Sequence, residues 1–246
     1  MIPIAYDYDT WIGYGRQVPL SIDISTHRNC HILLCGMSGA GKSYALLRTL
    51  ALIIKTIPTC EIHFGDYKQE EAFSFLRRET LRYYGFHTVT DAINLVYNRL
   101  QARITNTDTT KNPVILVIDE YVAYMASLQN TDKKMASSIM SKIAEILLMG
   151  RSLDIRIICT CQRPDAVIFP LGSRSNYGII ICLGASLKST YEMLLPSTEY
   201  FDEIGDRTFS QGEGIMLIQN SELRFIKIPQ IDNMDKVKEL CIKGLS

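Results

Sequence analysis

The sequence predicts an α/β fold with a mainly parallel central sheet flanked by helices, and three observations carry that prediction. Apolar runs of strand length recur along the chain at Ile32 to Cys35, Cys60 to Phe64, Val114 to Ile118, Ile155 to Cys161 and Gly178 to Leu183. Most are continuously apolar, as strands buried on both faces of a parallel sheet must be. Stretches of helical period lie between them, such as Asp91 to Ile104, where Ile93, Val96, Leu100 and Ile104 are spaced by three and four. The third observation is the segment Gly36 to Ser43, GMSGAGKS, which directly follows the first strand and fits G-x-x-x-x-G-K-[ST].

Taken in order, PIAYDYDTWIGYGRQVPLSIDI suggests one or two short strands leading into the domain. After the glycine-rich loop, Tyr44 to about Lys55 reads as a helix that Pro58 stops. Cys60 to Phe64 is the second strand, Gly65-Asp66-Tyr67-Lys68 its exit turn, Glu70 to Arg78 helical, and Tyr83 to Val89 a short strand. A capping-type Thr90 or Asp91 opens the helix to Ile104. The polar tract 105–112 is a loop, and Pro113 opens the strand Val114 to Ile118. Met135 to Met149 forms a helix ended by Gly150-Arg151. Ile155 to Cys161 is a strand that Pro164 keeps from continuing. Gly178 to Leu183 is a strand, Leu187 to Leu194 a short helix, and 215–219 with 223–228 a hairpin turning at Asn220-Ser221. Asp235 to Ile242 is the terminal helix. The expected organisation is one domain, with lead-in 1–24, core 25–230 and C-terminal helix 231–246.

Composition narrows the function classes. Of 246 residues, 47% are hydrophobic and 21% charged, and no apolar run approaches the length of a membrane span. The first thirty residues lack a basic start followed by an apolar core, so a cytoplasmic protein is expected, with any membrane association supplied by partners. The 26 basic and 26 acidic residues cancel, so the whole-chain footprint of a strong nucleic-acid binder is missing and any DNA contact must be local. Lys133-Lys134 and Arg77-Arg78 are such local clusters. Seven cysteines are scattered, mostly within apolar runs, and read as small buried hydrophobes rather than as a zinc site.

The loop points to nucleotide chemistry. Glycines at 36, 39 and 41 let successive backbone N–H groups turn inward as an anion nest formed by Gly36, Met37, Ser38, Gly39, Ala40, Gly41, Lys42, Ser43 and Tyr44. Lys42 would reach the β- and γ-phosphates, Ser43 would place its hydroxyl on Mg²⁺, and the helix beginning there would turn its positive end to the phosphates. Asp119-Glu120 closes a buried strand in two carboxylates at the carboxyl edge of the sheet, where ligands of open α/β sheets bind. Asp119 is the expected Mg²⁺ residue, acting through a coordinated water or through Ser43, and Glu120 the expected polariser of the attacking water. Gln162, at the tip of the strand expected beside the loop, is placed to touch the γ-phosphate or that water.

In this order the motifs resemble the motor domain of the FtsK/SpoIIIE family of DNA translocases, over roughly residues 25–230. The matching pieces are GMSGAGKS at 36–43, Asp66-x-Lys68, VILVIDE at 114–120, GRSLDIRIICTCQRP at 150–164 and QGEGIMLI at 211–218. The resemblance implies a RecA-like P-loop NTPase that binds ATP and Mg²⁺, assembles as a homo-hexameric ring and drives double-stranded DNA through its channel. It also implies an arginine acting on the neighbour's site. Arg151, at the family's Gly-Arg position, is the leading candidate, ahead of Arg163 and Arg174. The chain departs from the family in having Cys161 where Thr is usual, Ile215 where Asp is usual, and Gly178 near a strand start where an arginine is expected. Small members of this type are associated with DNA transfer by mobile elements, and either a membrane-bound partner supplies the anchor or none is needed. Two readings stand beside the DNA motor: an FtsK/SpoIIIE-type ATPase powering protein secretion, and a nucleotide-dependent switch with little turnover.

Overall fold

A single ten-stranded sheet runs through the protein, in the order β2-β1-β10-β9-β8-β3-β7-β6-β4-β5, where β1 to β10 number the strands along the chain. The computed structural model describes residues 1–24, 31–165, 169 and 174–246. Residues 25–30, where the core was expected to begin, lie outside that set, and Cys30 with them. Six strands form a parallel block: β3 (Ile32–Gly36), β4 (Glu61–Asp66), β5 (Tyr83–Gly85), β6 (Val114–Asp119), β7 (Ile155–Cys161) and β8 (Ile179–Leu183). The hairpin β9 (Glu213–Ile218) and β10 (Glu222–Lys227) extends it antiparallel, followed by β1 (Ile2–Asp7) and β2 (Pro19–Ile22).

Helices cover both faces of the block, which is why β3, β6, β7 and β8 are buried along their whole length. Strand alternation sends Leu33, Leu116, Ile118, Ile157 and Cys159 into one core, with α4 (Val89–Ile104), α5 (Tyr121–Thr131) and α6 (Lys133–Met149). It sends Ile32, Leu34, Ile115, Val117 and Ile158 into the other, with α2 (Lys42–Thr56), α3 (Ser74–Glu79) and α9 (Met234–Leu245). The six described cysteines are all free and buried, in keeping with their apolar settings. Cys35 and Cys161 face each other across β3 and β7 with 3.1 Å between sulfurs.

Several boundaries differ from expectation. Only Tyr83 to Gly85 of the run 83–89 is strand; a 3₁₀ turn over Phe86–Thr88 then feeds α4, which begins at Val89. Thr90 therefore caps nothing and shares a hydrogen bond with the Tyr124 hydroxyl. Helix α6 starts earlier than Met135 because Asp132 caps it, its carboxylate accepting from the Met135 N–H at 2.9 Å. The chain continues past Met149 as a 3₁₀ turn over Gly150–Leu153. Helices α1 (Tyr8–Tyr14) and α5, with α7 (Lys188–Leu194) preceding α8 (Glu199–Ile204), complete the set. Among the described residues no helix is long and apolar enough to cross a membrane.

The junction between the parallel block and the antiparallel extension depends on Gly214. A Cβ there would stand 2.0 Å from the Cys182 carbonyl oxygen and 2.9 Å from the Leu183 Cα, all rigid backbone of β8. Gly214→Ala is expected to cost about 2 kcal/mol or more by forcing β8 and β9 apart. Urea denaturation measures this, and a variant as stable as the wild type would show that the strands can give without loss.

Candidate functional site

Because the six strands of the block are parallel, their carboxyl ends gather along one edge. Register sets Asp66 beside Asp119, Cys35 beside Cys161 and Gly36 beside Leu183. The glycine-rich loop leaves β3 on that edge and runs into α2, with Gly39 and Gly41 at φ 81° and 95°, the left-handed region that favours glycine. A Cβ on Gly36 would meet the Leu183 carbonyl oxygen at 2.7 Å, so the loop lies close against β8. On its other side the turn of QGEGIMLI abuts it: the Gly212 N–H donates to the Ala40 carbonyl at 3.0 Å. This contact gives a physical role to a segment that sequence reading singled out only by resemblance.

The expected residues are brought together. Lys42 is buried and donates to the Gly36 carbonyl at 2.8 Å, with its Nζ 3.6 Å from Glu120 Oε1. Asp119 and Glu120 are each 2% exposed. The Thr160 hydroxyl ties them, donating to Asp119 Oδ1 at 2.6 Å and accepting from the Glu120 N–H at 2.9 Å. Gln162, directly after β7, lines the same cleft of about 590 Å³ as Ser38, Gly39, Gly41, Lys42, Ser43 and Tyr44. The Tyr44 hydroxyl accepts from the Ile231 N–H, and a smaller cavity bounded by Gly41, Tyr44, Gln211 and Ile228 opens beside it. Met37 is exposed at the rim. A larger hollow of about 740 Å³ farther along α2, between Arg48 and Trp11, contains none of the phosphate-loop residues.

The Ser43 hydroxyl donates to Glu70 Oε2 at 2.8 Å and not to Asp119. Glu70 comes from the loop after β4, which also carries Lys68 and begins just past Asp66, the last residue of the strand. Asp66 is fully buried, accepting from the Tyr83 hydroxyl at 2.8 Å and the Glu70 N–H at 3.3 Å. Lys68 Nζ lies 3.1 Å from Glu120 Oε2. Glu70 and Thr160 were missed in the sequence. A buried Thr near the end of an otherwise apolar strand was the available signal for Thr160, whereas Glu70 read as an ordinary helix-start carboxylate.

Charge at this edge is unbalanced. Burial pushes the Asp119 carboxyl up to about 7; the Thr160 hydroxyl works against this, and the carboxylates of Glu70, Asp66 and Glu120 add to it. Burial likewise raises the Asp66 carboxyl, against the hydrogen bond from Tyr83. Asp119 Oδ2 is buried with no hydrogen-bond partner. These features fit a divalent cation. Among the described residues no three His, Cys, Asp or Glu side chains are arranged to hold a metal by themselves. Such an ion would therefore take Ser43, phosphate oxygens and water as ligands with Asp119 close by, as a small hard cation does beside phosphates.

The candidate arginines lie elsewhere. Gly150, where a Cβ would strike the Ile155 carbonyl at 2.6 Å, allows the 3₁₀ turn to pack on the start of β7, and this presents Arg151 exposed at the amino edge of the sheet. A seven-residue strand spans roughly 20 Å, so Arg151 is remote from its own chain's phosphate loop. Arg163 follows Gln162 and donates to the Ser189 hydroxyl at 3.2 Å. Arg174 begins the 3₁₀ turn Arg174–Asn176, and its side chain lies outside what is described. The pair Lys133-Lys134 is exposed at the start of α6, and Arg77-Arg78 lies in the last turn of α3.

Comparison with known proteins bears on this geometry. The model of the ATPase family associated with various cellular activities (AAA) matches residues 32–184. The FtsK domain-containing protein YdcQ of Bacillus subtilis (strain 168) is 22% identical over 183 residues, 69% of this chain and 37% of that protein. The cytoplasmic domain of the type VII secretion ATPase EccC of Thermomonospora curvata matches with a TM-score of 0.71 at 17% identity, over 99% of this chain and 30% of that one. The pCW3 conjugation coupling protein TcpA, with ATPγS, matches with a TM-score of 0.71 at 18% identity, over 98% of this chain and 75% of that one. The chain thus spans 37% of the curated relative and 30% of EccC, and the two structural likenesses speak for the RecA-like fold.

Thr160→Val tests how the site is held. The substitution keeps shape but strips Asp119 of a donor and the Glu120 N–H of an acceptor, which for buried groups costs about 1–3 kcal/mol. Urea denaturation is expected to show that loss and steady-state ATP turnover a fall of about tenfold or more, since both acidic groups lose their alignment. Wild-type stability and turnover together would contradict the geometry.

Proposed function

Because the chain belongs to the AAA family of ATPases, and within it to the FtsK/SpoIIIE type, we propose that it hydrolyses ATP to drive double-stranded DNA through a homo-hexameric ring. ATP hydrolysis is the activity of that family; the ring, the DNA and a role in transfer by a mobile element are our reading. The observation that carries it is the gathering of the phosphate loop and Gln162 around one cleft at the carboxyl edge, with Glu120 3.6 Å from Lys42 and Asp119 tied to Glu120 through Thr160.

In this reading the backbone N–H groups of 36–43 and the Lys42 ammonium bind the phosphates, Lys42 moving the short distance from the Gly36 carbonyl. Ser43, with Asp119 nearby, would hold a Mg²⁺ ion, which would supply neutralisation of phosphate charge. Glu120 polarises the attacking water, and Gln162 senses the γ-phosphate. Arg151, exposed on the far edge of its own subunit, would act on a neighbour's site and stabilise charge on the transferred phosphoryl group. Overall neutrality makes each subunit a weak binder of DNA; six copies bring their local lysines to one axis and contact phosphates without reading sequence. A membrane-bound partner supplies anchoring.

The secretion reading rests on a specific observation, the fold likeness to EccC over 99% of the chain. ATP turnover measured with and without linear duplex DNA, at protein concentrations below and above assembly, separates the two. A motor of DNA shows several-fold stimulation by two unrelated duplexes equally, only when assembled, and fading steeply with salt. In the same assay Arg151→Ala mixed with Lys42→Ala restores part of the turnover. No response to DNA by the assembled ATPase would move the assignment to protein export, and no rescue at any ratio would remove Arg151 from the neighbour's site.

A further inference from the structure

The two oxygens of the Glu120 carboxylate have unequal surroundings. Oε2 lies 3.1 Å from Lys68 Nζ, whereas Oε1 is 3.6 Å from Lys42 Nζ, beyond hydrogen-bond reach, and has no hydrogen-bond partner. Glu120 itself is fixed at its backbone, in a left-handed conformation at φ 53°, with its N–H on Thr160. Only the side-chain torsions remain to be set. Lys42 is a poor restraint for them, because its ammonium already serves the Gly36 carbonyl and is the group that phosphates would take up. A buried carboxylate that loses its counter-charge pays heavily, so a second cation is needed once Lys42 turns to the nucleotide.

Lys68 stands on a loop built to hold it there. One end is tied by Asp66, which accepts from Tyr83 and from the Glu70 N–H; the other by the Glu70 carboxylate on the Ser43 hydroxyl. Between them Tyr67 stacks on Phe86 and meets Tyr124 edge-on, and Gln69, at φ 53°, accepts from Arg77. The Lys68 side chain is 37% exposed.

We propose that Lys68 is the positioning residue of the hydrolytic step: it holds Glu120 by Oε2 and thereby leaves Oε1 directed at the attacking water. It touches neither nucleotide nor water and acts through Glu120 alone. This rests on the reading of Glu120 as the water-polarising group. The pairing persists when Lys42 is drawn to the phosphates, so it matters most in the loaded site.

The test compares Lys68→Gln and Lys68→Arg, each alone and combined with Glu120→Gln, in assembled full-length chain, reading kcat, KM for ATP and ATPγS affinity. Lys68→Gln is expected to lose about 10- to 100-fold in kcat, a fraction of what a general base contributes, with KM and ATPγS affinity within about twofold. Lys68→Arg recovers most of the rate, which a role in folding alone would not single out. In the Glu120→Gln background, Lys68→Gln should cause no further loss, because residues acting as one unit are non-additive. An equal fall in ATPγS affinity, a fully additive loss, or a kcat unchanged or raised by Lys68→Gln would each overturn the proposal. If Glu120→Gln alone keeps wild-type turnover, the role given to Glu120 fails instead, and that arm reads it independently of Lys68.

Discussion

Four carboxylates, those of Asp66, Glu70, Asp119 and Glu120, are crowded at the carboxyl edge of a parallel sheet with the ammonium groups of Lys42 and Lys68 set against them, and the rest of the site follows from how that charge is managed. Burial alone would force such groups to neutralise. The fold counters with directed hydrogen bonds, from Tyr83 to Asp66, Ser43 to Glu70 and Thr160 to Asp119. The balance remains short, as the rise of the Asp119 carboxyl from 3.8 to about 7 shows. A carboxyl raised on folding contributes stability below its unfolded value and loses it as pH rises through its folded value. Here that window runs from about 4 to about 7, and a divalent cation beside Asp119 would remove the loss.

The sheet is what makes the crowding possible. Parallel strands point their carboxyl ends the same way, so residues distant in sequence, such as Asp66 and Asp119, become neighbours by register. The same topology separates Arg151 from the site of its own chain by the length of β7, and places the β9 turn against the phosphate loop through Gly212 and Ala40. The loop after β4 touches both the serine of the phosphate loop and the glutamate that follows β6.

Much of this was legible in the chain. The phosphate loop and the runs at 114–118, 155–161 and 178–183 are strong signals because buried parallel strands tolerate few polar residues. The role of Thr160 was hidden because a single Thr in an apolar strand is compatible with ordinary packing, and its two partners are brought to it only by strand order. Glu70 was hidden for the same reason, and Lys68 was marked only by resemblance: a loop's side-chain partners depend on where the next strands fall. Helix α5 escaped because apolar Val122, Ala123 and Ala126 blur the i, i+3, i+4 stripe of its buried Tyr121, Tyr124 and Met125. Helix α1 escaped because seven residues give too little period, although Asp7 with Thr10 was a readable cap.

In the proposed reading Mg²⁺ and nucleotide together complete this charge arrangement through Lys42. Thermal unfolding of the wild type and Lys42→Ala, with ATPγS alone, Mg²⁺ alone and both, measures it most directly. A ligand at about a hundred times its dissociation constant stabilises by about 2.7 kcal/mol, which for a chain of this size is a rise of roughly 5–10 °C. The wild type should show that rise with both present, much less with either alone, and Lys42→Ala should show little in any condition. An equal rise with ATPγS alone, or an undiminished rise in Lys42→Ala, would contradict the account.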